Sequence, residues 1–164
     1  MRRFIYSSLS ALLLSASILS PALASAPKIE LSASGSMVFD FTAPFISSSG
    51  LLNDSHIIQV MVLGMSLEDL TISIPPQMGK FSRVQVTDGT GKAVAAKITT
   101  NKKQVAIAFD QPVNPGQLLQ INIVGIQTDQ EEGSILLYGL TGHRAGIRDE
   151  IPIGTARIQV PGRG

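Results

Sequence analysis

Residues 83–99 read RVQVTDGTGKAVAAKIT, and this stretch decides the fold. Val84 and Val86 alternate with Arg83, Gln85 and Thr87; beyond Asp88-Gly89-Thr90-Gly91, Val94, Ala96 and Ile98 alternate again. In a strand successive side chains point to opposite faces, so period two lays an apolar face on a core and a polar face in water. The four residues between the runs carry the chemistry of a tight hairpin, because glycine takes positive φ without steric cost. The same alternation recurs on either side. Leu70, Ile72 and Ile74 show it, as do Val105, Ile107 and Phe109, and Leu119, Ile121 and Ile123. An amphipathic helix would need i, i+3, i+4 spacing, and no convincing window of it follows residue 25. Asn101-Lys102-Lys103 turns the next pair of runs, and Asp129 to Gly133 forms an acidic turn. Pro112-Val113-Asn114-Pro115-Gly116 reads as a loop, since neither proline can donate to a ladder. Strands starting near 28, 36, 57, 67, 82, 92, 104, 117, 134 and 155 predict an all-β, immunoglobulin-like two-sheet β-sandwich. One domain, residues 25–164, accommodates them.

The chain opens with Met1-Arg2-Arg3, an apolar run from Phe4 to Leu19 broken by serines, Pro21, and then Ala22-Leu23-Ala24. A basic start, an apolar core and an Ala-x-Ala end read as a secretory signal peptide over 1–24, cleaved after Ala24. The run is too short and too interrupted for a permanent span, which needs about 20 apolar residues. A secreted or periplasmic protein is expected, with no transmembrane segment in the mature chain. Arg2 and Arg3 belong to the leader, so the remaining 11 basic residues face 12 acidic ones, and 11 − 12 = −1. That balance, with no tryptophan, excludes nucleic acid as a natural partner. The absence of cysteine removes disulfides, thiolate metal sites and thiol catalysis.

Little catalytic chemistry remains. His56 and His143 are the only histidines, and Gly-x-Ser-x-Gly, the turn that would expose a nucleophile, is absent. His143 lies in the glycine-flanked segment Thr141-Gly142-His143-Arg144-Ala145-Gly146, where the ordinary reading is an exposed loop histidine. Asp129, Glu131, Glu132, Asp149 and Glu150 lack the spacing of a calcium loop and read as solvated turns, with a weak calcium site of the extracellular type as the alternative. Met37, Met61, Met65 and Met78 offer thioethers suited to cuprous copper, although methionine more often fills gaps in a core. On a strand, Met61 and Met65 would share a face but stand roughly 13 Å apart. His143, Arg144, Arg148 and Arg157, with Arg163 beyond, form a candidate surface for an anion or a partner, because arginine forks fit carboxylate and phosphate. Pairing of Arg148 with Asp149 and Glu150 would explain those charges without a ligand.

The stretch Val105-Ala-Ile-Ala-Phe109-Asp110-Gln111-Pro112-Val113-Asn114-Pro115-Gly116 resembles a family of secreted cyanobacterial proteins known as "domain of unknown function 2808". So do Gly133-Ser-Ile135-Leu-Leu137-Tyr138-Gly139-Leu140-Thr141, Ala145-Gly146 and Ile153-Gly154. The resemblance covers most of 57–160 and consists of turns and packing positions, with no catalytic constellation. Leu136 stands where the family often has an aromatic, and His143-Arg144 where it tends to have an aromatic and proline, so neither inherits a role. The resemblance implies an envelope or secreted origin.

Together these readings predict an exported, non-enzymatic binding or structural module of the envelope, needing no cofactor, with envelope proteins or anionic glycans as partners. An unpaired strand edge is one route to a partner protein. The alternative is a periplasmic copper-handling protein, although Ser25-Ala26-Pro27 lacks the N-terminal histidine that similar copper-binding sandwiches use. A hydrolase dependent on His143 is the third class.

Overall fold

A computed structural model describes residues 42–128 and 133–160, all within one compact unit, Phe39–Gly164. The expected leader, the strands expected near 28 and 36, Met37, most of the acidic turn and Arg163 lie outside the described residues. Among those described there is no helix long and apolar enough to cross a membrane.

The described residues form eleven strands: β1 Phe45–Leu52, β2 Ser55–Met61, β3 Leu67–Ser73, β4 Met78–Lys80, β5 Arg83–Asp88 and β6 Ala96–Thr100. They continue with β7 Gln104–Val113, β8 Leu118–Val124, β9 Gln127–Thr128, β10 Ile135–Gly142 and β11 Ile151–Gln159. One antiparallel sheet has the order β1-β2-β8-β5 and the other β11-β10-β3-β7-β6, while β4 and β9 make a small third pair. The chain is thus an all-β two-sheet sandwich. Period two does the sorting. Ile58, Val60, Leu119, Ile121, Ile123 and Val86 bury the inner face of the first sheet. Leu70, Ile72, Val105, Ile107, Leu136, Leu140 and Ile158 do so for the second. Each such side chain contributes roughly 1.5–3 kcal/mol of burial, and a one-residue slip of register would turn a whole row outward.

The Asn101 turn joins β6 to β7 as expected: its Oδ1 accepts the backbone N–H groups of Lys103 at 2.8 Å and Gln104 at 2.9 Å. The Asp88 turn is tight, but the hairpin it starts is brief. Asp88 N–H donates to Lys92 O at 2.8 Å and Val94 N–H to Val86 O at 3.0 Å, after which the chain leaves for the other sheet. The reason is topological. β5 and β6 are outer strands of different sheets, and this connection closes one side of the sandwich. Pro112 likewise falls inside β7 rather than in a loop. There the register against β3 jumps from Ala108↔Asp69 to Val113↔Leu67, so the proline has no ladder bond to donate.

On the opposite side, outer strands β1 and β11 lie beside each other. Ser49 Oγ donates to Arg157 O at 3.0 Å, and Ile46 lies over Gly154. No strand expectation covered β1, because Phe45-Ile-Ser-Ser-Ser-Gly-Leu-Leu does not alternate. Its ladder with β2 is bulged between Ile46 and Ser48.

Candidate functional site

The residues singled out from sequence have different local partners. Gly142 ends β10 against β3, where a Cβ would stand 2.5 Å from Asp69 O, so only glycine admits this approach. The approach delivers His143 to Asp69. The His143 backbone N–H donates to Asp69 Oδ1 at 2.9 Å, and its Nδ1 lies 2.9 Å from Oδ2. Hydrogen bonding to Asp69 and its charge raise the His143 pKa above the ordinary value, with Glu150 and Glu68 adding to the shift. Beside them, Thr141 Oγ1 donates to Glu150 Oε1 at 2.5 Å. The neighbourhood of His143 is therefore acidic. Arg144 turns away, donating from Nη1 to Thr42 O at 3.1 Å, with its Nε buried and without a partner. Arg148 and Arg157 are exposed, and no ion pair joins Arg148 to Asp149 or Glu150. His143 and Asp69 make two members of a triad, but no hydroxyl among the described residues hydrogen-bonds the other imidazole nitrogen.

The thioethers occupy three different settings. Met61 stands in register between Phe45 and Leu118, Met65 is exposed in the connection to β3, and Met78 is buried. Met78 is already engaged: Tyr138 Oη donates to its Sδ at 2.9 Å. His56, 2% exposed between the sheets, completes the chain with Nδ1 2.5 Å from Tyr138 Oη. With the hydroxyl proton directed at sulfur, a neutral imidazole donates from Nδ1 to the phenol oxygen. Burial lowers the His56 pKa to about 4 and raises that of Tyr138, so both stay neutral near pH 7. Among the described residues no group of three or more His, Cys, Asp or Glu is placed to hold a metal.

Met78 also lines a hollow of about 390 Å³, where β4, the start of β5 and the β6–β7 turn meet. Ile74 and Met78 are buried at its base, and Phe81 is half-buried. Lys80, Arg83 and Lys102 stand around it with Ser82, Thr100 and Asn101. None of the lining residues carries a carboxylate. Its geometry is fixed from two directions. The Asn101 side chain ties the β6–β7 turn, presenting Lys102, while Ser82 N–H donates to Val124 O at 2.8 Å. Opposite Ser82, Gly125 has φ +68°, and a Cβ there would lie 2.2 Å from Ser82 Oγ. Three cations with hydroxyl and amide donors, and no carboxylate among the described lining residues, suit an oxyanion: carboxylate, sulfate or phosphate. Sequence reading passed over this site because its cations sit in two segments, Lys80 to Arg83 and the turn carrying Lys102, that only the folded topology brings together.

No protein-family model matches the chain, and neither does any curated protein sequence. Solved structures do resemble it. BslA, a bacterial hydrophobin, is 14% identical with a TM-score of 0.45, over 74% of this chain and 95% of that one. The collagen-binding domain of a Staphylococcus aureus adhesin is 12% identical with a TM-score of 0.39, over 73% and 96%. The C-terminal domain of AspA, an antigen I/II-family protein of Streptococcus pyogenes, is 10% identical with a TM-score of 0.40, over 72% of this chain and 45% of that one. These likenesses concern the shape of the sandwich and bear on no ligand.

Proposed function

We propose that the chain is a non-catalytic binding module of the cell envelope that holds an anionic group in the cavity of Lys80, Arg83 and Lys102. The observation that carries this reading is the charge of that cavity: three cations and, among the described residues lining it, no carboxylate, in a chain whose formal net charge is only +1. Unbalanced charge concentrated in a concave site with a low-dielectric floor attracts a counter-ion far better than the same charges scattered over a surface. The leader-like start and the resemblance to secreted cyanobacterial proteins support a place outside the cytoplasm. The two imidazoles are committed elsewhere, one sealed in the core and one held on Asp69, which favours binding over turnover.

Equilibrium binding of inorganic sulfate, inorganic phosphate and galacturonate tests the reading. The native chain takes up at least one of these anions saturably at millimolar concentration. The variant K80Q/R83Q/K102Q, folded by circular dichroism, loses at least about tenfold in affinity, the scale set by charge-assisted hydrogen bonds. No saturable uptake, or uptake unaffected by the three substitutions, overturns it.

A further inference from the structure

A second hollow of about 260 Å³ lies on the outer face of the first sheet, and Arg83 lines both it and the basic cavity. The register explains why the two adjoin. Arg83 on β5 pairs with Val124 at the end of β8; Gln85 then stands opposite Asn122, and Thr87 opposite Gln120. On the other flank of β8, Ile57 pairs with Asn122 and Gln59 with Gln120. From Arg83 the outward face therefore runs inward from the cavity as successive cross-strand rows. From Arg83 to Thr87 it extends roughly 13 Å at the rise of an antiparallel strand.

The chemistry of this face is unusual for a solvent-facing sheet. Its central residues are amides joined in a ladder: Ser48 Oγ donates to Gln59 Oε1 at 2.9 Å and Gln59 Nε2 to Gln120 Oε1 at 3.1 Å. Gln120 Nε2 then donates to Asn122 Oδ1 at 3.2 Å. The ladder fixes the orientation of each amide and uses one N–H of Gln59 and one of Gln120. A primary amide has two N–H donors and a carbonyl with two lone pairs, so the ladder leaves one N–H per glutamine, both of Asn122 and the whole Gln85 amide unused. Gln85 makes no side-chain hydrogen bond to the described residues. These paired rows carry no carboxylate, and Arg83 at the cavity edge is their one charge.

We infer that the cavity and the amide face form one continuous groove for an acidic polysaccharide strand, its anionic group between Lys80, Arg83 and Lys102 and its hydroxyls on the amides. The inference rests on the anion-binding reading of the cavity and extends it. Amides held in fixed orientation recognise vicinal hydroxyls, each able to donate and accept, whereas a bare phosphate or sulfate, an acceptor only, can use their N–H groups and not their carbonyls. Half-buried Ile57 and Val124 flank the amides and give sugar C–H faces an apolar bed, as Phe81 does in the cavity. The absence of acidic groups from the face lets a polyanion lie along it without repulsion.

Calorimetric titration with oligogalacturonates and heparin-derived oligosaccharides of increasing length decides the matter, with inorganic polyphosphate as the hydroxyl-free polyanion. In at least one sugar series affinity rises about tenfold or more from the monosaccharide to the hexasaccharide, one or two added hydrogen-bonded contacts being enough. Q59A/Q120A removes most of that gain, leaves affinity for the monosaccharide unchanged and costs polyphosphate less than it costs the hexasaccharide. Gln85→Ala, which breaks no ladder bond, removes part of it and guards against a purely structural effect. Affinity independent of sugar length, or a gain untouched by all three amide substitutions, overturns the groove while leaving the anion cavity standing. Polyphosphate binding more tightly than every hexasaccharide also overturns it. If neither monosaccharide nor polyphosphate binds, the anion cavity itself falls.

Discussion

β3 has a polar cluster beyond each of its ends, and the two clusters behave oppositely. At its start, Asp69 meets His143, with Glu68 and Glu150 close enough to raise the imidazole pKa further. Most of the donors brought there find an acceptor: Asp69 takes the His143 backbone and ring, Glu150 takes Thr141, and Thr42 O takes one N–H of Arg144, whose buried Nε has no partner among the described residues. Past its end, Ile74 leads into a hollow where Lys80, Arg83 and Lys102 converge without any carboxylate. One end is largely satisfied by its own chain; the other carries charge that no carboxylate among the described lining residues answers. What matters for function is where charge is left uncompensated, and this differs from where charged residues are dense in the sequence.

The two histidines make the contrast measurable, because each end has one and their pH dependences have opposite sign. The larger effect belongs to the cavity end, where the buried chain from His56 through Tyr138 stops at Met78. His56 titrates near its ordinary value when unfolded and at about 4 when folded, so the unfolded state binds the proton more readily between those limits. Stability from this group is complete above pH 6.5, falls as pH drops towards 4 and then levels, a loss of roughly 3 kcal/mol. Urea denaturation across that range shows the loss in the native chain and a flatter profile in His56→Leu. Tyr138→Phe leaves the His56 ring nitrogen unpaired in the core and costs about 1–3 kcal/mol at pH 7. A native profile indifferent to pH between 6.5 and 4 would mean that His56 is solvated.

The smaller effect lies at the other end. The His143 pKa is raised in the fold, so its contribution is present below its unfolded value and lost as pH rises through the folded one. Asp69→Asn returns the His143 titration, followed by NMR, towards that of an ordinary histidine. The denaturation midpoint at pH 7 moves little, since the pair is partly open to solvent. An unchanged titration in Asp69→Asn would dissolve the pairing and leave His143 available to a ligand.

Much of the sandwich was legible in the alternation of apolar residues. His56 shares the parity of Ile58 and Val60, and Tyr138 that of Leu136 and Leu140, so their burial follows from the pattern that buried their neighbours. Their contact with each other does not, because it depends on how the two sheets face. β1 escaped because an outer, bulged strand at a sheet seam has no need of strict alternation. The Asp88 turn was visible as a turn, but which sheet receives the chain afterwards is decided by strand order, to which local residues are blind. The site was the least legible part. His143 and Arg144, neighbours in sequence, are taken up by different partners, whereas Lys80 on β4 and Lys102 in the β6–β7 turn, distant in sequence, line one cavity. Each of those lysines alone reads as an ordinary solvated charge.

Chemical-shift mapping of the backbone amides during titration with galacturonate tests the central asymmetry most directly, run on the native chain and on Arg83→Gln and Arg148→Gln. The expected perturbations centre on Lys80 to Arg83 and Thr100 to Lys102, weaken strongly in Arg83→Gln and persist in Arg148→Gln. Perturbations centred on His143 to Arg148, abolished by Arg148→Gln and indifferent to Arg83→Gln, would place the uncompensated charge at the wrong end and contradict the account.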